Sequence, residues 1–383
     1  MKVELIGATN GLKNREEMLA FGLRCARVCY SKKSWKELEG EPINRELLNN
    51  LIQSGHHSVF EHINLTFYLE NLPKALAMVL NNEKQYATSE KSARYTVMTD
   101  IEPRQKELYE KWIQLLTPEI DQVYPEKSKG EERENAVRKL AQENARYMTS
   151  VFTPTKMVYT VNLRQLNFLL QQFEAFVDAH GGGDDVFMSR LAESVKDFLE
   201  QTRELRIDGL DNQTDRSLSL FRPEGHREDD REPVDGEMYS RVYRISFACL
   251  AQAQRHRTIS YTILGSIEKN ADDLYIPPVV KKAGLEKEWV SDLKEVAKDD
   301  FPQAQLISVY ERGRMEDFRS KALLRICGHA QLEVMYNTLE TAQQLKEYQR
   351  RYGIHSLQPK CLQGIRCASP CVWLGGNALK RVV

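Results

Sequence analysis

Residues 63–80 read INLTFYLENLPKALAMVL, and residues 242–254 read VYRISFACLAQAQ. In the first stretch Leu65, Phe67 and Leu69 alternate with Thr66 and Tyr68, the two-residue period of a strand with one buried face. Asn71-Leu72-Pro73 then closes the strand and opens a helix, since proline is tolerated in a first helical turn. In the second stretch Tyr243, Ile245 and Phe247 alternate in the same way, and an alanine-rich helical run follows. The same strand-then-helix unit therefore occurs twice.

The flanks correspond as well. Residues 132–150 have helical periodicity, end in Asn144-Ala145-Arg146 and continue into the apolar Tyr147–Phe152; Phe301–Ile307 holds the equivalent place later on. Two helices with similar apolar stripes come next, Asn162–Val177 and Met315–Tyr336. A repeat of about 190 residues is a domain duplication and not a solenoid. The seam is expected between Arg206 and Glu237, a polar stretch with Gly209, Pro223, Gly225, Pro233 and Gly236 that reads as a surface linker. The expected domains are residues 1–206 and 207–383, with Gly181-Gly182-Gly183 as a loop inside the first.

Composition narrows the class. A chain of 383 residues is long for one domain and suits two. Charged residues make up 28% and hydrophobic ones 41%, as in an ordinary soluble protein. A formal net charge of −1 gives no global field for nucleic acid or a membrane surface, and no basic stripe is interleaved with aromatics, so neither partner is expected. No apolar run approaches about 18 residues, and Met1–Gly7 alternates like a strand where a signal peptide would be apolar. The cysteines, Cys25, Cys29, Cys249, Cys327, Cys361, Cys367 and Cys371, are odd in number and point to free thiols in a reducing compartment. The expected location is the cytoplasm.

Several polar stretches carry candidate chemistry. Arg255-His256-Arg257 ends the second alanine-rich helix. Cations there are stabilised by the helix dipole, which is one reading; the other is an anion site, because guanidinium groups bind phosphate bidentately. Gln252 lies one turn earlier on the same face as Arg255. Glu90-Lys91-Ser92-Ala93-Arg94-Tyr95 reads as a loop, either a solvated turn or a phosphate cradle made by the Ser92 hydroxyl, the backbone around small Ala93, and Arg94. In Gly55–His62, the residues His56, His57, Glu61 and His62 suggest a metal, yet no separated fourth ligand at zinc-like spacing follows, and no metal is assigned. Arg325 stands among apolar neighbours on a helix spanning Phe318–Tyr336, so it needs a carboxylate or an anionic or polarisable ligand; Arg146 follows the same logic. Cys361, Cys367 and Cys371, with His355 nearby, have a spacing that is not a standard zinc pattern; buried thiols are the favoured reading, and metal binding there is left open.

Together these residues resemble the flavin-dependent thymidylate synthases, whose signature runs R-H-R-x-x-S into E-x-S-x-R-Y in one stretch. Here it is divided between Arg255–Ser260 and Glu90–Tyr95. The first copy is similar to the family at Ala26–Tyr30, Gly55–His62, Leu65–Phe67, Glu90–Tyr95, Asn144–Arg146 and Thr160–Arg164. It departs at Asn81-Asn82-Glu83, where Arg-His-Arg would stand, at Phe173, where a late arginine is expected, and at Cys29, usually serine. The second copy has Gln252, Arg255–Arg257, Ser260, Arg325 and His329–Glu333, but lacks the histidine turn, reads Leu264–Glu268 in place of Glu90–Arg94, and has Gln305 in place of Arg146.

The resemblance implies an α+β fold, with two tandem copies of an antiparallel sheet and packed helices forming a pseudo-dimer. It implies a homodimer that rebuilds the family's tetramer. It also implies a composite site, because the losses in the two copies are complementary. The substrate group is Glu90, Ser92, Ala93, Arg94 and Arg146 from the first copy with Gln252, Arg255 and Arg325 from the second. The flavin group is His56, Ser58, Glu61, Asn162 and Arg164 with Arg255, His256 and Arg257. The implied reaction is reductive methylation of dUMP to dTMP, with FAD as hydride carrier and methylenetetrahydrofolate and NADPH as co-substrates. Arg325 has the catalytic role of favouring ionisation of the uracil N3 proton, and no cysteine nucleophile is used. The alternatives are a relative acting on another pyrimidine nucleotide, and a non-catalytic flavin- or nucleotide-binding regulator, which the altered Asn81–Glu83 would suit.

Overall fold

The computed structural model describes residues 1–39, 41–94, 96, 98, 100–210, 218–221, 238–345, 360–363, 371–373 and 375–383. In chain order the first elements are β1 (Lys2–Ala8), α1 (Arg15–Val28), α2 (Trp35–Glu39), α3 (Arg45–Gln53), β2 (Asn64–Pro73), α4 (Lys74–Leu80) and β3 (Tyr86–Glu90). Then come α5 (Pro103–Val123), α6 (Gly130–Ala145), β4 (Pro154–Asn162), α7 (Leu163–His180) and α8 (Val186–Thr202). The rest are β5 (Met238–Ser246), α9 (Phe247–Ala253), β6 (Ser260–Leu264), α10 (Pro278–Lys282), α11 (Glu286–Asp299), β7 (Leu306–Arg314), α12 (Met315–Arg325) and α13 (Leu332–Gln344). This is an α+β protein with antiparallel sheets.

The chain forms two compact units, Met1–Lys91 with Pro154–Ser219, and Ser92–Thr153 with Leu220–Val383. They are cut differently from the consecutive domains 1–206 and 207–383, because the apolar stripes of α5 and α6 are buried in the second unit. Trp112 stacks edge-on against Trp289, with centroids 4.7 Å apart, and its indole N–H donates to Asp292 at 2.8 Å.

In the first unit the sheet order is β1-β2-β4-β3. Leu65, Phe67 and Leu69 are fully buried, as the alternation requires. β2 runs on to Pro73 across a register shift, where Asn71 takes a φ of 55°, and α4 starts only at Lys74. α7 follows β4 directly. Asn162 caps it by accepting from the Gln165 N–H at 2.8 Å, and the helix buries Leu166, Leu169 and Phe173.

In the second unit the order is β5-β7-β6, the order of β2-β4-β3. α9 follows β5 as α4 follows β2, and α12 follows β7 as α7 follows β4. Phe247 begins α9 and is not part of the strand. The single helix expected over Met315–Tyr336 is two helices, separated by a turn from Ile326 to Gln331. Gly328 lies in that turn, where a side chain would come within 2.8 Å of the Cys371 sulfur. The interior also holds an ion pair: Lys321 donates to both oxygens of Glu311 at 2.8 and 2.7 Å, and both residues are wholly buried.

The expected surface linker is partly an interior segment. Ile207, Leu210, Leu218 and Leu220 are buried, because apolar side chains in that polar stretch still seek cover. Pro223, Gly225, Pro233 and Gly236 lie outside the described residues, as do Tyr95, His355 and Cys367. Among the described residues no group of three His, Cys, Asp or Glu is arranged to hold a metal, and no helix is long and apolar enough to cross a membrane.

Candidate active site

In the second unit, four separate segments carry the residues of the expected substrate group other than Glu90. Ser92–Arg94 leave the sheet as a turn. The Ser92 carbonyl accepts from the Thr96 N–H at 3.0 Å and from its hydroxyl at 2.7 Å, and the Ser92 hydroxyl accepts from the Arg94 N–H at 3.4 Å. This turn aims the Arg94 guanidinium at two partners. Nε pairs with the Glu143 carboxylate, and Nη2 donates to the His329 carbonyl at 3.0 Å.

Arg325 ends α12. Its Nε donates to His256 Nε2 at 2.9 Å and its Nη2 to the Gln252 carbonyl at 3.3 Å, so it ties its own helix to the end of α9. Burial, and next the charge of Arg94, press its pKa below the ordinary arginine value; Arg255 adds to this. His256 is driven down to about 3 by burial, then by the charges of Arg325 and Lys321. It is therefore a neutral imidazole that accepts at Nε2. Arg255 sits in the turn after α9, which ends at Ala253, so Gln252 and Arg255 do not share a helical face; the Arg255 N–H donates to the Gln252 carbonyl at 3.2 Å.

Arg146 follows α6 and is only 5% exposed. Its Nε and Nη2 meet no hydrogen-bond partner among the described residues, and neither does the buried Oε1 of Gln252. Buried polar groups are nearly always paired, and an unpaired buried cation is costlier still. A cation and an acceptor left in this condition fit an anionic, hydrogen-bonding ligand.

A buried network fixes the frame. The Tyr147 hydroxyl donates to Glu333 at 2.7 Å, and Gln331 Nε2 donates to the Tyr147 hydroxyl at 2.6 Å. Glu333 also accepts from the Ser246 N–H at 2.8 Å and from its hydroxyl at 2.6 Å, at the N-terminus of α9. The residue after Arg146 is thereby tied to the starts of α9 and α13.

The remaining residues, Arg257 excepted, lie in the first unit. The Glu90 carboxylate is buried, pairs with Lys74 and accepts from Asn81 Nδ2 at 3.1 Å. Glu90 ends β3, so that part of the expected loop is strand. His56 precedes a short 3-10 helix, His57–His62, and lies edge-on to Tyr30. Within that helix Ser58 is exposed, whereas His57 is buried with its Nε2 on the Ile52 carbonyl at 2.8 Å. Glu61 pairs with Arg164 Nη1 at 2.5 Å, and the buried Arg164 Nε has no partner among the described residues. Arg257 is exposed in the second unit.

Three features were not read from the sequence. Glu143 pairs with Arg94; its signal is a carboxylate on the buried stripe of α6, between Ala141 and Asn144. Arg381 is 3% exposed, with Nη2 on the Ala330 carbonyl beside the His329 carbonyl that Arg94 holds. The altered Asn81-Asn82-Glu83 is itself a buried network. Asn82 Nδ2 donates to Ser219 at 2.9 Å, Glu83 accepts from the Ser219 N–H and hydroxyl at 2.5 and 2.8 Å, and Asn81 Oδ1 accepts from Thr88 at 2.8 Å.

Residues 13–175 match the family model described as thymidylate synthase complementing protein. A flavin-dependent thymidylate synthase of Pseudothermotoga lettingae is 30% identical over 157 residues, covering 38% of this chain and 67% of that protein. The chain belongs to the flavin-dependent thymidylate synthase family. Membership makes it an enzyme of the flavin-dependent thymidylate synthase type. The flavin-dependent thymidylate synthase of Clostridium tetani is 28% identical over 187 residues, 43% of this chain and 71% of that protein. A crystal structure of thymidylate synthase X from Helicobacter pylori with FAD and dUMP aligns with 55% of this chain and 99% of that one, at 18% identity and a TM-score of 0.31. The family match ends before Arg255–Arg257 and Arg325, the residues that complete the divided signature.

Proposed function

We propose that this flavin-dependent thymidylate synthase relative reductively methylates dUMP to dTMP at one composite site, built by two copies of one domain, residues 1–206 and 207–383. The observation that carries the reading is that Arg325, paired with His256 and the Gln252 carbonyl, lies in the same compact unit as Arg94, which holds the His329 carbonyl in the turn after α12, although Arg94 belongs to the first copy by sequence. The repeated strand order and the repeated strand-to-helix joints support the duplication.

Each side chain then has a task. Arg146 brings two unpartnered guanidinium nitrogens, and with Arg94, Ser92 and the backbone at Ala93 it binds the 5′-phosphate. Arg94 is held by Glu143 in the free protein and exchanges one anion for another. Gln252 Oε1 accepts from the nucleotide, and Arg255 adds positive charge. Arg325 stabilises negative charge on the pyrimidine and favours loss of the N3 proton. Neutral His256 fixes its direction without competing for the anion.

FAD supplies hydride transfer when bound, with methylenetetrahydrofolate as carbon donor and NADPH as reductant. The buried Nε of Arg164, without a hydrogen-bond partner among the described residues while Nη1 holds the Glu61 carboxylate, fits a phosphate-bearing cofactor, and His56, Ser58, Asn162, Arg255, His256 and Arg257 complete the proposed set. Glu90 belongs to the proposed substrate group through its place in the divided signature. A homodimer would carry two such sites, and the protein would work in the cytoplasm.

The test is tritium release from [5-³H]dUMP by FAD-loaded protein with NADPH and methylenetetrahydrofolate, beside Arg325→Ala. Release that the variant loses supports the reading. No release from FAD-loaded protein rejects it in favour of another nucleotide or a binding-only role.

A further inference from the structure

Two guanidinium groups hold neighbouring carbonyls in the turn that follows Arg325. Arg94 Nη2 donates to the His329 carbonyl at 3.0 Å, and Arg381 Nη2 donates to the Ala330 carbonyl. Arg94 belongs to the proposed substrate group. Arg381 belongs neither to the divided signature nor to either proposed group, and the family match ends far before it.

Arg381 is firmly held. Its own carbonyl accepts from the Tyr336 hydroxyl of α13 at 2.7 Å, and its Nη1 donates to the Val383 carbonyl at 2.7 Å. Its buried Nε has no hydrogen-bond partner among the described residues. Buried cations ordinarily have a carboxylate bonded to them; this one has only carbonyls. Burial presses its pKa below the ordinary arginine value; Glu143 opposes this and Arg94 adds to it. One buried carboxylate, Glu143, therefore acts on two cations, and it bonds Arg94 through Nε while Arg381 Nε stays vacant. If a phosphate takes Arg94, Glu143 loses its partner. At 5% exposure it cannot turn to water, and stranding one member of a buried ion pair is strongly destabilising. The vacant Nε of Arg381 is a charged donor that can receive it.

We propose that Arg381 is a positioning residue of the substrate site: it holds the turn after Arg325, and it donates to the Glu143 carboxylate once the nucleotide's phosphate has taken Arg94. The proposal rests on the reading of Arg94 as a phosphate ligand. It makes substrate entry an exchange of partners, in which neither the phosphate nor Glu143 is left without a cation.

The experiment is calorimetric titration of the full, FAD-loaded chain with dUMP and, separately, with inorganic phosphate. It is run on the native protein, Arg381→Gln, Glu143→Gln and the double variant, with tritium release measured on the same four. Arg381→Gln, whose amide can still donate to the Ala330 carbonyl, should weaken dUMP binding by about tenfold or more, because the displaced Glu143 is stranded. Glu143→Gln removes the competitor for Arg94 and should bind dUMP more tightly than the native protein. The double variant should return to within about threefold of Glu143→Gln, since the two positions are coupled. A merely structural Arg381 gives the same loss with or without Glu143, and that result overturns the proposal, as does unchanged affinity in Arg381→Gln. Should Arg381→Gln fail to fold, Glu143→Gln decides: affinity no greater than native overturns the exchange. No saturable binding of either anion overturns it as well. Rescue seen with inorganic phosphate but no tritium release from dUMP rejects the reaction and keeps the exchange; release without rescue does the reverse.

Discussion

Arg325 Nε donates to His256 Nε2 at 2.9 Å, so the nitrogen that a protonated histidine would use as a donor is already an acceptor. The histidine pKa falls from 6.5 to about 3 through burial and the nearby cations. The folded value lies below the unfolded one, so this contribution to stability is complete above about pH 6.5. It is lost as pH falls toward about 3, because the unfolded chain takes up the proton first. The limiting slope is about 1.4 kcal/mol per pH unit. Urea unfolding between pH 4 and 7 should show a steeper acid loss in the native protein than in His256→Asn, which keeps an acceptor and does not titrate. Parallel slopes would mean that His256 is protonated in the fold.

Arg146 tests a division between stability and binding. Its Nε and Nη2 are buried without partners, so Arg146→Met removes a desolvated cation and should leave the melting temperature unchanged or raised. Nucleotide affinity should fall by at least tenfold, since a charge-assisted pair to phosphate contributes about 1.5–3 kcal/mol. Thermal melting beside dUMP titration checks both. A large loss of stability with intact dUMP affinity would make Arg146 a structural residue.

Glu83 should behave in the opposite way. It is 1% exposed and accepts both the N–H and the hydroxyl of Ser219. Glu83→Ala leaves both donors unpaired and should cost about 2 kcal/mol or more in urea unfolding. Its effect on nucleotide affinity should be small, since Glu83 commits its carboxylate to Ser219 and belongs to neither the proposed substrate group nor the proposed flavin group. Asn81→Arg, which restores one residue of the family signature there, should also destabilise by burying a cation where Asn81 now bridges Glu90 and Thr88.

The Glu311–Lys321 pair offers a test of the duplication itself. β4 and β7 are both nine residues long and lead straight into α7 and α12; counted along them, Tyr159 and Leu169 hold the places of Glu311 and Lys321. Lys321→Leu strands a buried carboxylate and should cost about 3–5 kcal/mol. Adding Glu311→Tyr installs the pair of the first unit and should return part of that loss. A double variant less stable than Lys321→Leu would argue that the two positions are not equivalent.

What the sequence disclosed follows the reach of its signals. The alternation around Leu65, Phe67 and Leu69 reports burial one residue at a time, and those three residues lie buried in β2 as it requires; the strand ends, at Pro73 and before Phe247, were placed less well. The break between Arg325 and Leu332 was missed because the apolar stripe continues through it, whereas the close approach of Cys371 to Gly328 within the break, far away in the chain, leaves no local pattern. Arg325 and Arg146 were legible as cations among apolar neighbours, but Glu143 and Arg381 were not. A lone charge on a helix, or near a chain end, acquires meaning only from what folds over it. The membership of residues 92–153 was hidden for the same reason. Trp112 depends on Trp289 and Asp292, and no local pattern records a contact at that distance.

The alternation of the chain between its two units has a consequence for its synthesis. Each unit closes only after the polypeptide has left for the other and come back. β2 and β3 leave the ribosome without β4, the strand that joins them. α5 and α6 must then wait for α11: Trp112 and Asp292 are separated by 180 residues, on the order of ten to tens of seconds at about 5–20 residues per second. Through that interval the apolar faces of α5 and α6 stand uncovered, so the nascent chain is more exposed to aggregation than two domains in series would be. Splitting the gene at the compositional seam should yield two insoluble products, and co-expression of the two pieces, not their mixing after purification, is the route by which they would fold together.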